Sequence, residues 1–441
     1  MSTTKPSAAD LRNPDYVPPM GERMALGLQH VLAMFVSNFT PAIIIGGAAG
    51  FAFGGADAVF LIQMSMLFAG IATLLQTVGL GPVGARLPVM QGTSFAFIPV
   101  MIPAVKSAGI GALFGAIFIG GLFHACLGFF IGRLRHWFPP LVSGLVILVI
   151  GIELIPVGIK YAAGGAADFQ INNPAWGDFS RWGLALLVII VALIMKFMTT
   201  GILSSAAILI GLLAGYVVAI IMGIVNFNGV ANAAWFAIPQ PFKYGFDFNI
   251  AAVIGICLMS IVSAIETVGD ISGITKGGAN REATDKELAG GTFADGIGTA
   301  VAGVFGGLPN TSFSQNVGLI SMTGVMSRAV VTTGAVFLII CGLVPKVGAI
   351  IAAMPIQVLG GGVIVMFGMV ASAGMNMLSD VVWNRRNMMI LALSLAFGLG
   401  LHLEPKALQH LPSTAQVLLA SGLLPAAFLA VVLNLVLPHE D

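Results

Sequence analysis

Charged residues are scarce in this chain of 441 residues, because Asp, Glu, Lys and Arg together make up only 8% of it. A typical soluble domain has roughly 25% charged residues. A soluble domain of this length with so few charges could not present a wetted surface, so lipid must be its outer solvent. The net charge of +1 gives no indication of a nucleic-acid partner. The sequence therefore predicts a protein embedded in a bilayer.

Several motifs of other protein classes are absent from the sequence. The three cysteines, Cys126, Cys257 and Cys341, lie in apolar runs without metal-ligand spacing, which predicts buried reduced thiols. The sequence has no Gly-x-x-x-x-Gly-Lys-Ser/Thr phosphate loop and no His pair with metal-ligand spacing on one helix. It also has no large soluble region for catalysis. We therefore expect neither an ATP-driven pump nor an enzyme, and no cofactor or metal.

Long apolar runs are abundant. A membrane-spanning helix needs about 20 mostly apolar residues. Twelve runs are clear candidates for such helices. Two further stretches, about 91–106 and about 309–326, are too interrupted for a full span, and counting them brings the number of predicted crossings to 14. The clear runs cover 24–48, 57–79, 108–132, 139–159, 182–199, 201–225, 249–272, 289–306, 329–344, 347–372, 387–402 and 415–437.

The distribution of positive charge supports 14 crossings. With the polar segment 1–22 as a cytoplasmic N-terminal tail, 13 of the 19 Lys and Arg residues fall inside, Lys5 and Arg135 among them. This asymmetry follows the positive-inside rule. Omitting the two weak stretches keeps both ends inside but places Arg133 and Arg135 on the same side as Lys106. The sequence thus predicts a multi-pass protein of the cell (inner) membrane with both termini in the cytoplasm.

The two weak stretches share the tripeptide Thr-Ser-Phe, at 93–95 and again at 311–313. Paired interrupted spans in corresponding positions of two halves point to a transporter binding site at the midplane. The freed backbone groups must face protein or a water-filled cavity. We therefore expect an all-α polytopic membrane protein with 7+7 inverted repeats, in which two broken spans carry short extended segments.

The predicted domains follow from the position of the broken spans. The helices that carry these spans would form a core domain, and the remaining helices a gate domain against which the core moves. The core would comprise residues 23–132 (spans 1–4) and 248–344 (spans 8–11), and the gate residues 139–225 (spans 5–7) and 346–437 (spans 12–14).

Four carboxylates fall inside or at the edge of predicted spans. A charged acid at the bilayer centre costs at least about 2.5–3.5 kcal/mol on insertion scales, so such residues are functional by default. Glu266 is the deepest and is predicted to bind substrate and the coupling proton. Asp270 lies on the same helix face and either joins the site or sits at the interface. Asp295 is either an interfacial cap or, as we favour, a buried carboxylate that orients a broken segment, and Glu153 is expected at the interface.

Polar and aromatic side chains at the breaks would complete a site. The amides of Gln315 and Asn316 match a planar heterocycle with alternating N–H and C=O groups, although amides also hold membrane helices together. The rings of Phe95 and Phe313 either stack on such a heterocycle or merely pack. His30 either bonds a neighbouring helix or tunes proton affinity near the site.

The stretch 315–324 resembles the signature of the nucleobase–ascorbate transporter family, also called nucleobase:cation symporter-2. That signature reads Gln, Glu or Pro, then Asn, any residue, Gly, four of any kind, Thr, and Arg, Lys or Gly. Within the family the chain is most similar to bacterial xanthine and uric acid permeases. Further segments that resemble the family are Gln29-His30, 92–97, 266–270, 293–296 and 355–362.

The resemblance implies a homodimer of 14-span subunits, with core and gate domains, that works by alternating access. It also implies roles for individual residues, which we carry over position by position. Glu266 and Gln315 match purine-binding positions, and Phe95 and Ser94 lie at the first broken segment, which contacts the base. Asn316 matches a position that determines selectivity. Asp295 matches a carboxylate that is essential for transport, and His30 matches a position that supports affinity.

The expected substrate is a purine. Uracil carriers of the family have Glu at the position of Gln315 and a His at that of Asp270. Xanthine permeases often have Asn where this chain has Ser94 and Val317, so the choice between xanthine and uric acid stays open. The predicted function is uptake of xanthine and/or uric acid with a proton as coupling ion. The alternatives are a uracil-type or anion transporter on the same fold and, from another class, a channel or a receptor.

Overall fold

The computed structural model of the protein describes residues 8–134, 139–165, 171 and 173–438. Two parts of the predictions lie outside this description. They are residues 1–7 of the predicted tail, Lys5 among them, and Arg135. In the first half, the elements are α1 (Ala8–Leu11), α2 (Met20–Ala48), α3 (Ala56–Val78), β1 (Gln91–Thr93), α4 (Ile98–Leu127), α5 (Ile131–Leu134), α6 (Pro140–Ala162), α7 (Phe179–Met198), α8 (Ile202–Ser205) and α9 (Ala207–Ile221).

The second half repeats this order after a short connecting helix. Its elements are α10 (Asn228–Asn232), α11 (Ile250–Ala279), α12 (Asp285–Val304), β2 (Asn310–Ser312), α13 (Ser314–Thr323), α14 (Arg328–Leu343), α15 (Pro345–Ala352), α16 (Ile356–Leu378), α17 (Arg385–Leu403), a 3₁₀ turn (Pro405–Leu408), α18 (Ser413–Leu419) and α19 (Leu423–Val436).

The 14 predicted crossings all fall on helical segments of the structure, although some of them are divided between two helices. Among the described residues, eight helices are long and apolar enough to cross a membrane unaided. The remaining crossings are short or interrupted. In α4, Gly109 is non-helical at φ 83°, ψ 170°, so the half-helix after β1 is separated from the next crossing. The predicted boundary between the stretches 91–106 and 108–132 lies at this glycine.

The two halves pack against each other through equivalent pairs of helices. Helix α12 of the second half lies along α4 of the first, and α14 in the same way lies along α3. Small residues allow this close approach, which helices need where lipid gives no hydrophobic driving force. A Cβ atom at Gly296 of α12 would overlap the backbone of Ala125 in α4, and one at Gly342 of α14 would overlap Leu67 in α3.

Three sequence-based expectations are wrong in detail. The predicted span 347–372 is divided between α15 and α16, because Pro355 cannot continue a helix. Helix α15 bends by 79° from α14, and α16 makes the crossing. The last predicted span, 415–437, is interrupted between α18 and α19. Glu153 is not interfacial, because α6 continues past it to Ala162 and its side chain is buried.

Candidate functional site

The two broken segments meet as a short antiparallel sheet. Strand β1 pairs with β2 so that Gly92 lies opposite Thr311. Each strand is held at its first residue by a threonine from the preceding helix. The hydroxyl of Thr73 in α3 accepts a 2.9 Å hydrogen bond from the amide of Gln91, and Thr299 in α12 accepts one of 3.0 Å from Asn310. These threonines satisfy backbone groups that would otherwise be buried without a partner.

A cavity of about 700 Å³ lies where this sheet faces α6, α11 and α16. Five of the predicted site residues line it. These are Phe95, Glu266, Asp270, Phe313 and Gln315. The broken segments therefore share one space with Glu266 and Asp270, two of the four intramembrane carboxylates.

The lining of the cavity is buried in one part and exposed in another. We call the part at Ile150 of α6 and Val262 of α11, which are both buried, the blind end, and the part with exposed residues the mouth. Towards the mouth it is lined by Ser321, Met377 and, in the loop after α16, Asp380.

The charged groups that line the cavity are all acidic. They are Glu266, Asp270 and Asp380, and none of the described lining residues is Lys or Arg. Such a wall favours a neutral solute with N–H donors or a solute that arrives with a proton, and it disfavours a free anion.

The aromatic side chains at the two breaks differ in exposure. Phe95 is half-buried and makes an edge-to-face contact with Phe367 of α16, with ring centroids 5.2 Å apart. Phe313 is 5% exposed. A Cβ atom at Gly92 would overlap the Phe313 ring, so glycine at this position leaves room for that ring against β1. Phe95 is thus the more accessible stacking surface.

Asp295 is fully buried and does not belong to the described cavity lining. Its Oδ1 accepts hydrogen bonds from the side-chain amides of Gln76 (2.8 Å) and Gln91 (2.5 Å), and its Oδ2 accepts one from the Thr267 hydroxyl. This burial rules out the interfacial-cap alternative. Asp295 instead connects α12 with α3, α11 and the first broken segment.

The same network continues to Asp270 through the second broken segment. The Ser312 hydroxyl lies 3.3 Å from that of Thr267 and donates a 2.6 Å hydrogen bond to Oδ2 of Asp270. The Ser314 hydroxyl donates to Oδ1 of Asp270 at 2.7 Å. Asp270 is therefore buried and bonded on both oxygens rather than placed at the interface.

His30 and Asn316 contact each other beside the cavity, and neither belongs to its described lining. The Asn316 amide lies 3.0 Å from Nδ1 of His30 and donates to the His30 carbonyl at 3.0 Å. If the amide also donates to the ring, Nδ1 must be unprotonated. The pair fixes α13 against α2.

Ser94 is also buried away from the cavity, and its hydroxyl accepts a 3.3 Å hydrogen bond from the amide of Ala96. A substrate contact by Ser94, Asn316 or His30 stays a prediction. In this structure the three side chains support the broken segments instead.

Sequence reasoning missed the side chains that organise this network. Gln76, Gln91 and Thr267 are buried and bond Asp295. One signal was present in the sequence, because Thr73, Gln76 and Thr77 place polar side chains at helical spacing in a mostly apolar span. Polar residues on one face of a membrane helix point towards protein rather than lipid.

Comparisons with known proteins agree with this arrangement. The model of a family described as "Permease family" matches residues 21–407. The chain is 36% identical over 423 residues to the xanthine permease of Bacillus subtilis, covering 94% of each chain. It is 38% identical over 421 residues to the uric acid transporter UacT of Escherichia coli, covering 94% of this chain and 86% of that one.

Solved structures show the same fold at low sequence identity. The transmembrane domain of the cyanobacterial bicarbonate transporter BicA superposes with a TM-score of 0.63 at 15% identity, covering 95% of this chain and 98% of that one. The transporter SLC26A9 superposes with a TM-score of 0.61 at 13% identity, covering 95% and 66%. The predicted fold, 14 membrane segments in two inverted repeats of seven, is thereby confirmed.

Proposed function

The chain belongs to the Permease family, and we propose that it is a secondary active transporter that takes up a purine base, xanthine and/or uric acid, together with a proton. The names of its relatives, a xanthine permease and a uric acid transporter, support this class of substrate. A permease is not an enzyme, so the chemistry required of the site is recognition and release.

The observation that carries the proposal is the shared cavity of Glu266, Gln315 and Phe95. An oxopurine is a flat ring with N–H donors and C=O acceptors along its edge. The amide of Gln315 can both donate and accept, and the carboxyl group of Glu266 can accept an N–H. The ring of Phe95 can stack on the face of the base. These three functions together match a purine better than a small inorganic ion.

Glu266 is also the proposed coupling group. A carboxyl group away from bulk water favours its neutral, protonated form. In this proposal, the proton on Glu266 and the purine in the cavity favour one another's binding. Because the protonated carboxyl group is neutral, the loaded protein changes conformation more easily than one that holds the purine beside an ionised Glu266.

Alternating access would arise from movement between two parts of the chain. We assign residues 23–132 and 248–344 to the core and residues 139–225 and 346–437 to the gate. The cavity lies between them, because β1, β2 and α11 form one wall while α6 and α16 form the other. Its mouth lies at Asp380, which the positive-charge pattern places in the cytoplasm, so the conformation would be inward-facing. Cytoplasmic termini, the inner membrane and a homodimer belong to the same proposal.

The structure favours a purine over an anion as the substrate. Although one fold relative is a bicarbonate transporter, the described cavity lining has three carboxylates and no Lys or Arg. An anion site would need positive charge near the breaks.

Uptake into proteoliposomes tests the proposed function. Labelled xanthine, urate, hypoxanthine, guanine and uracil are offered with an inward proton gradient, with and without an uncoupler, and liposomes without protein serve as the control. We expect saturable, uphill accumulation of xanthine or urate that the uncoupler abolishes. Flux that is linear in concentration would indicate a channel. Competition by sulfate or bicarbonate, or preferential uptake of uracil, would overturn the purine assignment.

A further inference from the structure

The side chain of Glu153 is a buried carboxyl group that the proposed transport site does not use. It lies within α6 and is 5% exposed. Neither of its oxygens has a hydrogen-bond partner among the described residues. An ionised carboxylate without a partner costs several kcal/mol to bury, so a group in this state takes up a proton if it can.

A break in the last membrane span faces this carboxyl group. Helix α18 ends at Leu419 and α19 begins at Leu423, with Gly422 between them at φ 70°. A Cβ atom at Gly422 would overlap Oε1 of Glu153. The break therefore closes directly over the carboxyl group, and only glycine both adopts this backbone conformation without strain and leaves room for the oxygen.

A histidine contacts the break from α17. Nδ1 of His402 lies 3.2 Å from the carbonyl of Ala420, and the Cβ atom of His402 lies 2.9 Å from the place where a Cβ of Gly422 would stand. If Nδ1 carries its proton, it donates to this carbonyl and leaves Nε2 as the acceptor of a neutral ring.

Titratable and charged groups on the elements packed against α6 are few. The sequences of α16 and α19 contain none. The groups on the other packed elements are Arg385, Arg386 and His402 of α17, Arg181 and Lys196 near the two ends of α7, Glu266, Asp270 and Lys276 of α11, and Lys106 and His124 of α4. No ion pair between Glu153 and any of them occurs among the described residues.

The position of Glu153 relative to the cavity suggests its role. Ile150 lines the blind end, and Glu153 lies one helical turn further from the mouth. Beyond that end, Leu418 of α18 packs beside Gly255 of α11. The Cδ2 atom of Leu418 lies 3.4 Å from the place where a Cβ atom of Gly255 would stand. Gly255 lies about two helical turns before Val262, the first residue of α11 in the described lining, so this contact between α18 and α11 lies beyond the blind end. We call it the seam.

We propose that Glu153 is a second proton-binding site, located in the gate, and that its protonation holds the seam closed. The inference rests on the proposed alternating access. When the seam opens, water reaches the carboxyl group and the proton leaves one of its oxygens to water. When the seam closes, a proton from water returns to that oxygen, and no other bond is made or broken.

Infrared spectroscopy and thiol labelling of the whole protein test this inference without any transported substrate. Infrared difference spectra between alkaline and acid pH are recorded for the wild-type protein, for Glu153→Gln and for Glu266→Gln. We expect a protonated-carboxyl band that Glu153→Gln removes and Glu266→Gln retains. In a background without Cys126, Cys257 and Cys341, Ser421→Cys then reports access to the break by its rate of labelling with a membrane-impermeant maleimide.

Labelling of Ser421→Cys should be about tenfold faster at alkaline than at acid pH, because deprotonation shifts the population towards an open seam. Glu153→Gln should label slowly at both pH values, while Glu153→Asp should restore the pH dependence. An unchanged infrared band in Glu153→Gln, or pH-dependent labelling that persists in that variant, would overturn the inference. Loss of purine transport with the band and labelling intact would count against the proposed substrate and not against this site.

Discussion

The side-chain amide of Gln91 donates a 2.5 Å hydrogen bond to Oδ1 of Asp295 and so ties the first broken segment to a helix of the second half. The same oxygen accepts a second amide proton from Gln76 at 2.8 Å. Asp295 therefore acts on the site through the backbone it positions, since it does not belong to the described lining of the cavity. A carboxylate in this position is a positioning residue, and its effects should differ from those of Glu266.

Replacing Asp295 by Asn should reduce both stability and transport. The asparagine keeps the shape of the side chain, but only one of its two terminal atoms can accept a hydrogen bond. Its NH₂ group must face either the Thr267 hydroxyl or the amides of Gln76 and Gln91, and it cannot accept from them. Leaving a buried donor unsatisfied costs about 1–3 kcal/mol, so the melting temperature in detergent should fall and transport should drop at least about tenfold. Glu282→Gln, at an exposed carboxylate, is the control and should change neither quantity. Wild-type stability and uptake in Asp295→Asn would show that the network does not organise the site.

Replacing Glu266 by Gln should separate binding from proton coupling. The glutamine resembles the protonated side chain, so purine binding measured by calorimetry should persist and lose its pH dependence. In the wild-type protein, binding should weaken as pH rises, because Glu266 loses its proton. Exchange of labelled for unlabelled purine should continue in the variant, whereas a proton gradient should no longer drive accumulation.

Asp380→Asn is the matched control for Glu266→Gln, since Asp380 lines the mouth of the same cavity. It should keep gradient-driven accumulation. Full proton-coupled accumulation by Glu266→Gln would eliminate Glu266 as the coupling group.

Phe95→Ala should weaken purine affinity more than the same substitution does at an aromatic residue that faces outwards. Stacking of a base on an aromatic side chain is worth about 1–3 kcal/mol, which corresponds to about a fivefold to 150-fold loss of affinity. Phe428 on α19 is 70% exposed, and Phe428→Ala should leave affinity unchanged. Comparison of dissociation constants for the two variants checks the prediction, and equal affinities would place the base away from Phe95.

The sequence predicted the broken spans and the deepest acid, because a carboxylate and a Pro- or Gly-interrupted stretch are locally visible departures from an apolar pattern. It could not decide between Gln315 and Asn316. Neighbouring residues on a helix point about 100° apart, so one amide can line the cavity while the next contacts a neighbouring helix. Which one lines the cavity depends on the rotation of α13, and the pairing of Asn316 with His30 fixes that rotation.

Glu153 shows the opposite limit. Its place near the end of the predicted run 139–159 suggested an interfacial position, yet α6 continues through Pro156 to Ala162, because surrounding protein can satisfy the freed carbonyl in a membrane helix. The break at Gly422 was also invisible, because the residues around it are as apolar as an intact span. Such features arise from packing between distant segments.

His30 and Asn316 should be energetically coupled in their contributions to stability. A double-mutant cycle with His30→Leu and Asn316→Leu removes each partner alone and both together. We expect each single variant to be less stable than the wild-type protein, and the double variant to lose less than the sum, with a coupling of about 0.5–3 kcal/mol. Thermal stability in detergent measures these differences. Additive losses would mean that the two side chains act independently of each other.

Thr73→Val and Thr299→Val should have matching effects, because the two threonines hold the first residue of β1 and of β2 in the same way. Valine has nearly the same shape but cannot accept from the strand amide, so each variant leaves a buried N–H unsatisfied at a cost of about 1–3 kcal/mol. Thr333→Val is the control, since the hydroxyl of Thr333 bonds only the carbonyl of Ala329 in its own helix. Both test variants should lower the melting temperature and purine affinity more than the control does. If only one of them did so, the two halves would not support their broken segments equivalently, and the symmetry of the site would be limited to its backbone.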